Sequence, residues 1–469
     1  MNFPTRLTTL IALASTLFLS ACMGGGEGGT GATDNTGGGD ISRGQITGFG
    51  SIFVNGVEFE TTDSAISLDG ATGAESDLKL GMVVTVTGTI NPDRLTGTAD
   101  TVSVEEVIQG LVQANDNVNT LTVLKHTVEL PSNVRFDGAG VTDITDITAM
   151  TDYVEVSGYV VADGVISPTR VERLGSSESG IFGTVSSHNG GDQTFIIGSV
   201  LTVHYSGAEL SDFPNNQITN GLYVEVEGIF DTNSGVLTAD KVEHARISEN
   251  DVDEMEIEGF VTNVDELPAK FVINDVPVQL SATTEFKGGS VDEIIVGMFI
   301  EVDGPYVSGS LHAQEIEFDD SVRITGEVAN LGADTITLAG MSGLTVQTDN
   351  LTDFSSGGFN DLTQGSRIRI RGFQQIQDST IVMARRIDTI SAGNDASLLG
   401  NVTAIAGLTF DINGVSIDTS SMPDSAFIVD GEVKNSTEFF SSLDEGEDIV
   451  EAKGTLSGSV ITWESVELK

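Results

Sequence analysis

At 469 residues the chain is too long for one small all-β domain, and a hydrophobic fraction of 39% suffices for several packed cores. Its 70 Asp and Glu against 21 Lys and Arg give a formal net charge of −49, a field that repels phosphate backbones and argues against nucleic acid as a partner. A single cysteine excludes an internal disulfide, and 55 glycines with 6% aromatics describe many turns rather than long helices.

Residues 1–22 read MNFPTRLTTLIALASTLFLSAC. Arg6 supplies a positive start, and Leu10 to Leu19 form an apolar stretch too short to span a bilayer, which takes about 20 residues. The stretch ends in Leu19-Ser20-Ala21-Cys22, which resembles the lipobox of bacterial lipoproteins. The resemblance implies cleavage before Cys22 and acylation of its thiol, with each buried CH₂ adding roughly 0.8 kcal/mol to membrane affinity. Met23 stands where aspartate would mark inner-membrane retention, so the resemblance implies the outer membrane, with the mature chain facing the periplasm or the cell surface. Residues 23–43 then form a Gly-rich tether reaching roughly 20–25 Å on average.

Beyond the tether one strand pattern, V-x-V-x-G, recurs six times. It appears as Val84 to Gly88, Val154 to Gly158, Val224 to Gly228, Ile300 to Gly304, Ile368 to Gly372 and Val450 to Gly454, the glycines 70, 70, 76, 68 and 82 residues apart. Seven residues upstream stand Gly81, Gly221, Gly297 and Gly365, with Thr151 in the second copy and Gly446, displaced by one, in the sixth. A G-x-V strand opens each later copy, and Gly44-Gln45-Ile46 the first. Hairpins follow, with Asn55-Gly56 and Asn413-Gly414 as type I′ turn signals. Alternation puts Val84 and Val86 inward and Thr85 and Thr87 outward.

The unit is therefore strand, strand, turn, strand, a longer link, strand, strand. Five short strands bury one face by curling closed, so the expected fold is all-β: a tandem array of six small five-stranded OB-like Greek-key barrels. A six-bladed propeller is the rival, but its blades usually hold four strands in about 40–50 residues. The expected repeats are 44–106, 107–174, 179–246, 254–320, 321–390 and 395–469. Asn250 to Glu254 reads as a solvated linker, and the longer link is where such barrels often carry a short helix.

The GFGSIFVNGVEF stretch at 48–59 and the LKLGMVVTVTG stretch at 78–88, with lipobox and tether, resemble domain-of-unknown-function family 5666, tandem copies of which occur on bacterial lipoproteins. The resemblance implies fold and address, and brings no catalytic residue.

Candidate chemistry is sparse. No G-x-S-x-G elbow, Walker loop or H-E-x-x-H is present, and His126, His188, His204, His244 and His312 fall at unrelated repeat positions and read as surface residues rather than metal ligands. The EF-hand loop is absent, and Asp231 to Gly235 reads as a hairpin turn. An acid closes the last strand in five copies (Glu172, Glu243, Glu317, Asp388, Glu467), a position suited to capping, docking or calcium. Copy five holds six arginines against seven acids. Arg367, Arg369 and Arg371 alternate with Ile368 and Ile370, so all three share an outward face able to dock on an acidic neighbour or to take an anionic glycan or partner protein. The expectation is a non-enzymatic, lipid-anchored envelope protein whose repeats bind or space a partner without metal or cofactor. The alternatives are a polysaccharide hydrolase using a carboxylate pair and a calcium-stiffened adhesin.

Overall fold

The computed structural model describes residues 39–469 apart from 93, 132, 176, 248–251, 288, 319–321, 350–351, 376–377, 430 and 445–447. The chain divides into Met1–Thr36 and Gly37–Lys469, and the second unit carries everything below. Cys22, the leader 1–22 and tether residues 23–38 lie outside the described residues.

The protein is all-β and built of repeated domains. In the second copy the opening strand Ile108–Asn115 pairs antiparallel with Thr120–Val123 on one side and Tyr153–Ala162 on the other. The hairpin partner of Thr120–Val123, His126–Glu129, runs parallel to Val165–Leu174, itself antiparallel to Tyr153–Ala162. Pairing thus passes from strand to strand and returns to its start. The fifth copy repeats this order with Val322–Leu331, Thr335–Leu338, Thr345–Gln347, Asp378–Thr389 and Arg367–Gln375. In the first copy the opening strand breaks into Asp40–Gln45 and Gly48–Phe49, and in the third into Ser179–Thr184 and Ser186–Asn189. The longer link holds single 3₁₀ turns such as Glu75–Asp77 and Ile144–Asp146; among the described residues the short helix expected there forms only at Ser436–Ser442, near the C-terminus.

Period-2 alternation fixes which side chains enter the cores. Val84 and Val86 are buried, as are the G-x-V valines Val112, Val185, Val261, Val328 and Val402, each burial stabilising by roughly 1.5–3 kcal/mol. The V-x-V-x-G glycine is set by a close approach. At Gly88, Gly228 and Gly372 the strand register slips by a bulge. A Cβ on Gly228 would lie 2.1 Å from the Thr238 carbonyl oxygen, so only glycine lets the two strands coil together there.

Four sequence expectations change. The opening strand begins at Asp40, inside the span assigned to the tether, because Ile41 is buried and the Asp40 carboxylate accepts the Ile90 N–H at 2.8 Å. In the second copy the left-handed turn before the fourth strand falls on Met150 (φ 61°), not Thr151, with the Met150 N–H donating to the Val112 carbonyl at 2.7 Å. Glu254 is no linker residue: it lies in the Val252–Asn263 strand and is paired with Arg94 at 2.9 Å. His126 is 3% exposed, so it is not a surface residue.

The copies also pair with one another through their opening strands. Ile108–Asn115 pairs antiparallel with Ser179–Thr184, and Val322–Leu331 with Asp395–Ala406. Asp40–Gln45 pairs in parallel with Val252–Asn263, joining the first copy to the fourth across two intervening ones. Among the described residues, three sheets of 15, 13 and 13 strands result. One apolar core runs through copies two and three, from Val107 to Val242, and another from Val322 to Val466.

Candidate functional site

The arginines of copy five form a polar constellation between copies. Ile368 and Ile370 fill the core, so Arg367, Arg369 and Arg371 point to the other face of the strand. That face is largely covered by the chain itself. Arg371, 3% exposed, donates to Glu293 at 3.1 Å and lies over the Phe318 ring at 5.4 Å, both from copy four. Arg369, its side chain 41% exposed, reaches the same Glu293 oxygen at 3.4 Å, and Arg367 meets Asp395 at 3.0 Å. On the neighbouring strand the buried Arg385 is held by Glu129 of copy two and by Asp349, with Phe373 beneath it at 4.7 Å. The basic copy therefore touches copies two and four, and Asp395 of the segment that follows it, through its guanidinium groups, whose planar forks suit carboxylates.

A cleft of about 320 Å³ opens where copies two, three and four meet, within the size range of small-molecule sites. Tight turns supply its polar rim. In copy two the turn before His126 uses Leu124 (φ 43°) and Lys125 (φ 68°) in place of the usual Asn-Gly. Leu124 tolerates the strained conformation because it is fully buried, packed where the opening strand has Gly110. From copy three come Tyr223 and Gly198, and from copy four the hairpin turn Asn274-Asp275. His126 Nδ1 lies 3.0 Å from the Leu124 carbonyl, which can only accept, so Nδ1 carries the proton and Nε2 is a bare acceptor. Burial holds the imidazole below its usual pKa, in the neutral form. Asn274 Nδ2 donates to the Glu258 carbonyl at 3.3 Å, which fixes Oδ1 as the other end of the amide. Neither His126 Nε2 nor Asn274 Oδ1 has a hydrogen-bond partner among the described residues.

Carboxylates crowd the remaining contacts. The first x of V-x-V-x-G faces the closing acid directly across the ladder: Glu155 opposes Glu172, Glu225 opposes Glu243, Glu301 opposes Glu317 and Glu451 opposes Glu467. Bases intercalate. Lys241 sits 2.9 Å from Glu243 and 3.2 Å from Glu227, Arg170 2.9 Å from Glu172, and Arg386 2.8 Å from Asp388. The closing acids thus hold ion pairs within their own copies. Where bases run short, burial and like charge push carboxyls up: Glu225 to about 7, and the buried Glu106, bonded by Ser157, to about 8. Glu256 and Glu301 share a hydrogen bond at the contact between copies one and four; burial raises both, with the charges of Asp303 and Glu254 adding at Glu256 and those of Glu256 and Glu258 at Glu301. A raised carboxyl pKa means that folding retains a proton the unfolded chain has lost. Stability is then full below the ordinary carboxylate range near 4.5 and falls as pH rises through the folded values, toward 9. Glu301→Gln is expected to flatten this decline, measured by urea unfolding at pH 5, 7 and 9; an unchanged slope would show that the pair does not matter. Among the described residues no group of three or more His, Cys, Asp or Glu is placed to hold a metal ion, and Asp231 spends its carboxylate on Asn233 and Ser234 of its own turn.

The family model described as "Domain of unknown function (DUF5666)" matches residues 39–102, 109–172, 182–243, 258–317 and 325–388. The chain belongs to the DUF5666 family. Its five matched repeats contain each V-x-V-x-G strand up to Gly372, while 395–469 lies beyond the matched segments. No curated protein matches the chain. A solved structure titled "drosophila Unr CSD456" is similar at 14% identity over 45% of this chain and 97% of its own, with a TM-score of 0.12.

Within the DUF5666 repeats, sequence reasoning found the arginines but not their burial. It read His126 as a surface residue and did not single out Asp275, because each becomes notable only when three hairpin tips from different repeats converge. Asn274 stands at the tip of a hairpin of the same kind as Asn55-Gly56 and Asn413-Gly414, and nothing in the sequence signals that its amide oxygen is left bare.

Proposed function

We propose that this chain is a non-enzymatic scaffold of the bacterial envelope, anchored by acylation of Cys22 in the outer membrane, whose repeats are OB-type five-stranded barrels docked into one stiff body. The return of strand pairing to its starting strand supports the barrel reading, and the recurrence of the motif at Val450 to Gly454 supports a sixth repeat. The docking carries the scaffold reading: opening strands of different repeats share sheets, and guanidinium groups of one repeat are buried against carboxylates of others. Rigidly spaced repeats hold a partner, protein or glycan, at fixed geometry and gain from multivalency, which a flexible string would lose in entropy.

The test is radiolabelled palmitate incorporation with membrane fractionation. Wild type is expected in the outer-membrane fraction carrying label, and Cys22→Ser unlabelled and released with the soluble envelope proteins. Unlabelled wild type in the cytosol would overturn the anchor. Hydrolysis of cell-wall or exopolysaccharide by the purified protein would overturn the non-enzymatic part.

A further inference from the structure

The cleft between copies two, three and four is lined by acceptors. His126 Nε2 and Asn274 Oδ1 lack hydrogen-bond partners among the described residues, on side chains whose orientation is fixed by other bonds. Asp163 and Asp275 add two carboxylates to the rim. Asp275 is matched by Arg43 at 2.6 Å, whereas the bond to Asp163 Oδ2 comes from the neutral Ser199 hydroxyl at 2.7 Å. Asp163 thus has no ion pair among the described residues, the Lys125 charge reaching only as far as the neighbouring His126 ring by field. A buried acceptor without a donor is destabilising, and a ligand that supplies N–H groups recovers that cost. An anion would meet repulsion here and throughout a chain of net charge −49, and a neutral polyol would satisfy the acceptors but not the charge.

We propose that this cleft is a binding site for a small organic cation, a primary ammonium or polyamine, whose N–H groups donate to His126 Nε2 and Asn274 Oδ1 while Asp163 balances its charge. Tyr223 and Phe182 flank the cleft and give its aliphatic stem an apolar wall. This site goes beyond the scaffold reading and does not depend on it.

The probe is spermidine, titrated into the purified chain by calorimetry in about 0.15 M salt, where loose surface attraction is screened. One saturable site per chain is expected. Asp163→Asn keeps an oxygen to accept from Ser199, so it preserves the fold, and is expected to weaken binding at least tenfold. Asp240→Asn, which removes one exposed charge elsewhere, is expected to change it less than twofold. The ¹⁵N resonance of His126 Nε2 is expected to shift on saturation, as it would on gaining a donor. Equal weakening by both variants, sorbitol binding as tightly as spermidine, a static Nε2 resonance or no saturable site would each overturn the proposal.

Discussion

Replacing Arg385 with alanine is expected to lower the free energy of unfolding by about 3–5 kcal/mol, the usual cost of removing one partner from a buried ion pair. Arg385 is 3% exposed and joins copy five to Glu129 of copy two. Burial already pushes the Glu129 carboxyl up, and the guanidinium is what pulls it back. Without Arg385 the carboxyl is left in a space that solvates it poorly, and Asp349 loses a partner at 3.1 Å. The double variant Arg385→Met/Glu129→Met is expected to recover most of the loss, since two apolar chains of similar volume satisfy a buried site without desolvating a charge. Urea denaturation of the four corners of this cycle measures the coupling. Additive losses would mean that the pair is spectator to the docking. Converting Arg367, Arg369 and Arg371 together to Ser is expected to loosen copy five from copies four and six, visible as a changed small-angle scattering profile; an unchanged profile would count against docking through these residues.

The second large effect concerns the repeat glycine. Gly228→Val is expected to destabilise its copy by about 3 kcal/mol or more, because the new Cβ meets the Thr238 carbonyl oxygen at 2.1 Å and backbone cannot yield as a side chain would. Gly175→Val, at an exposed glycine with nothing within 4 Å, is the matched control and is expected to be near neutral. Equal midpoints for the two variants in thermal unfolding would refute the steric reading of the motif.

These two residues also mark what a sequence reader can and cannot see. Gly228 was legible because its cause is local: an alternating strand closes on a glycine, and the same spacing returns copy after copy. The buried faces of Val84 and Val86 followed from period-2 alternation alone. The far side of each strand was harder. Arg371 and Glu301 sit at positions that alternation assigns to solvent, and a polar outward face looks the same whether water or another copy covers it. Nothing in residues 40–45 announces that they pair with residues 252–263 rather than with the adjoining copy. His126 resembled a surface residue because its burial comes from three separated hairpins.

Amide hydrogen exchange tests the central claim, that the copies form one docked body, most directly. Among the described residues the registers that join copies are Ile41 to Arg43 with Met255 to Ile257, Ile108 and Gln109 with Ile181 and Gly180, and Arg323 to Thr325 with Leu399 to Ser397. Amides hydrogen-bonded across these registers are expected to be protected as strongly as those inside a copy, for instance between Val84 and Val104. Exchange of the joining amides at the rate of open sheet edges, with the copies' own ladders still protected, would show a string of independent domains and contradict the account.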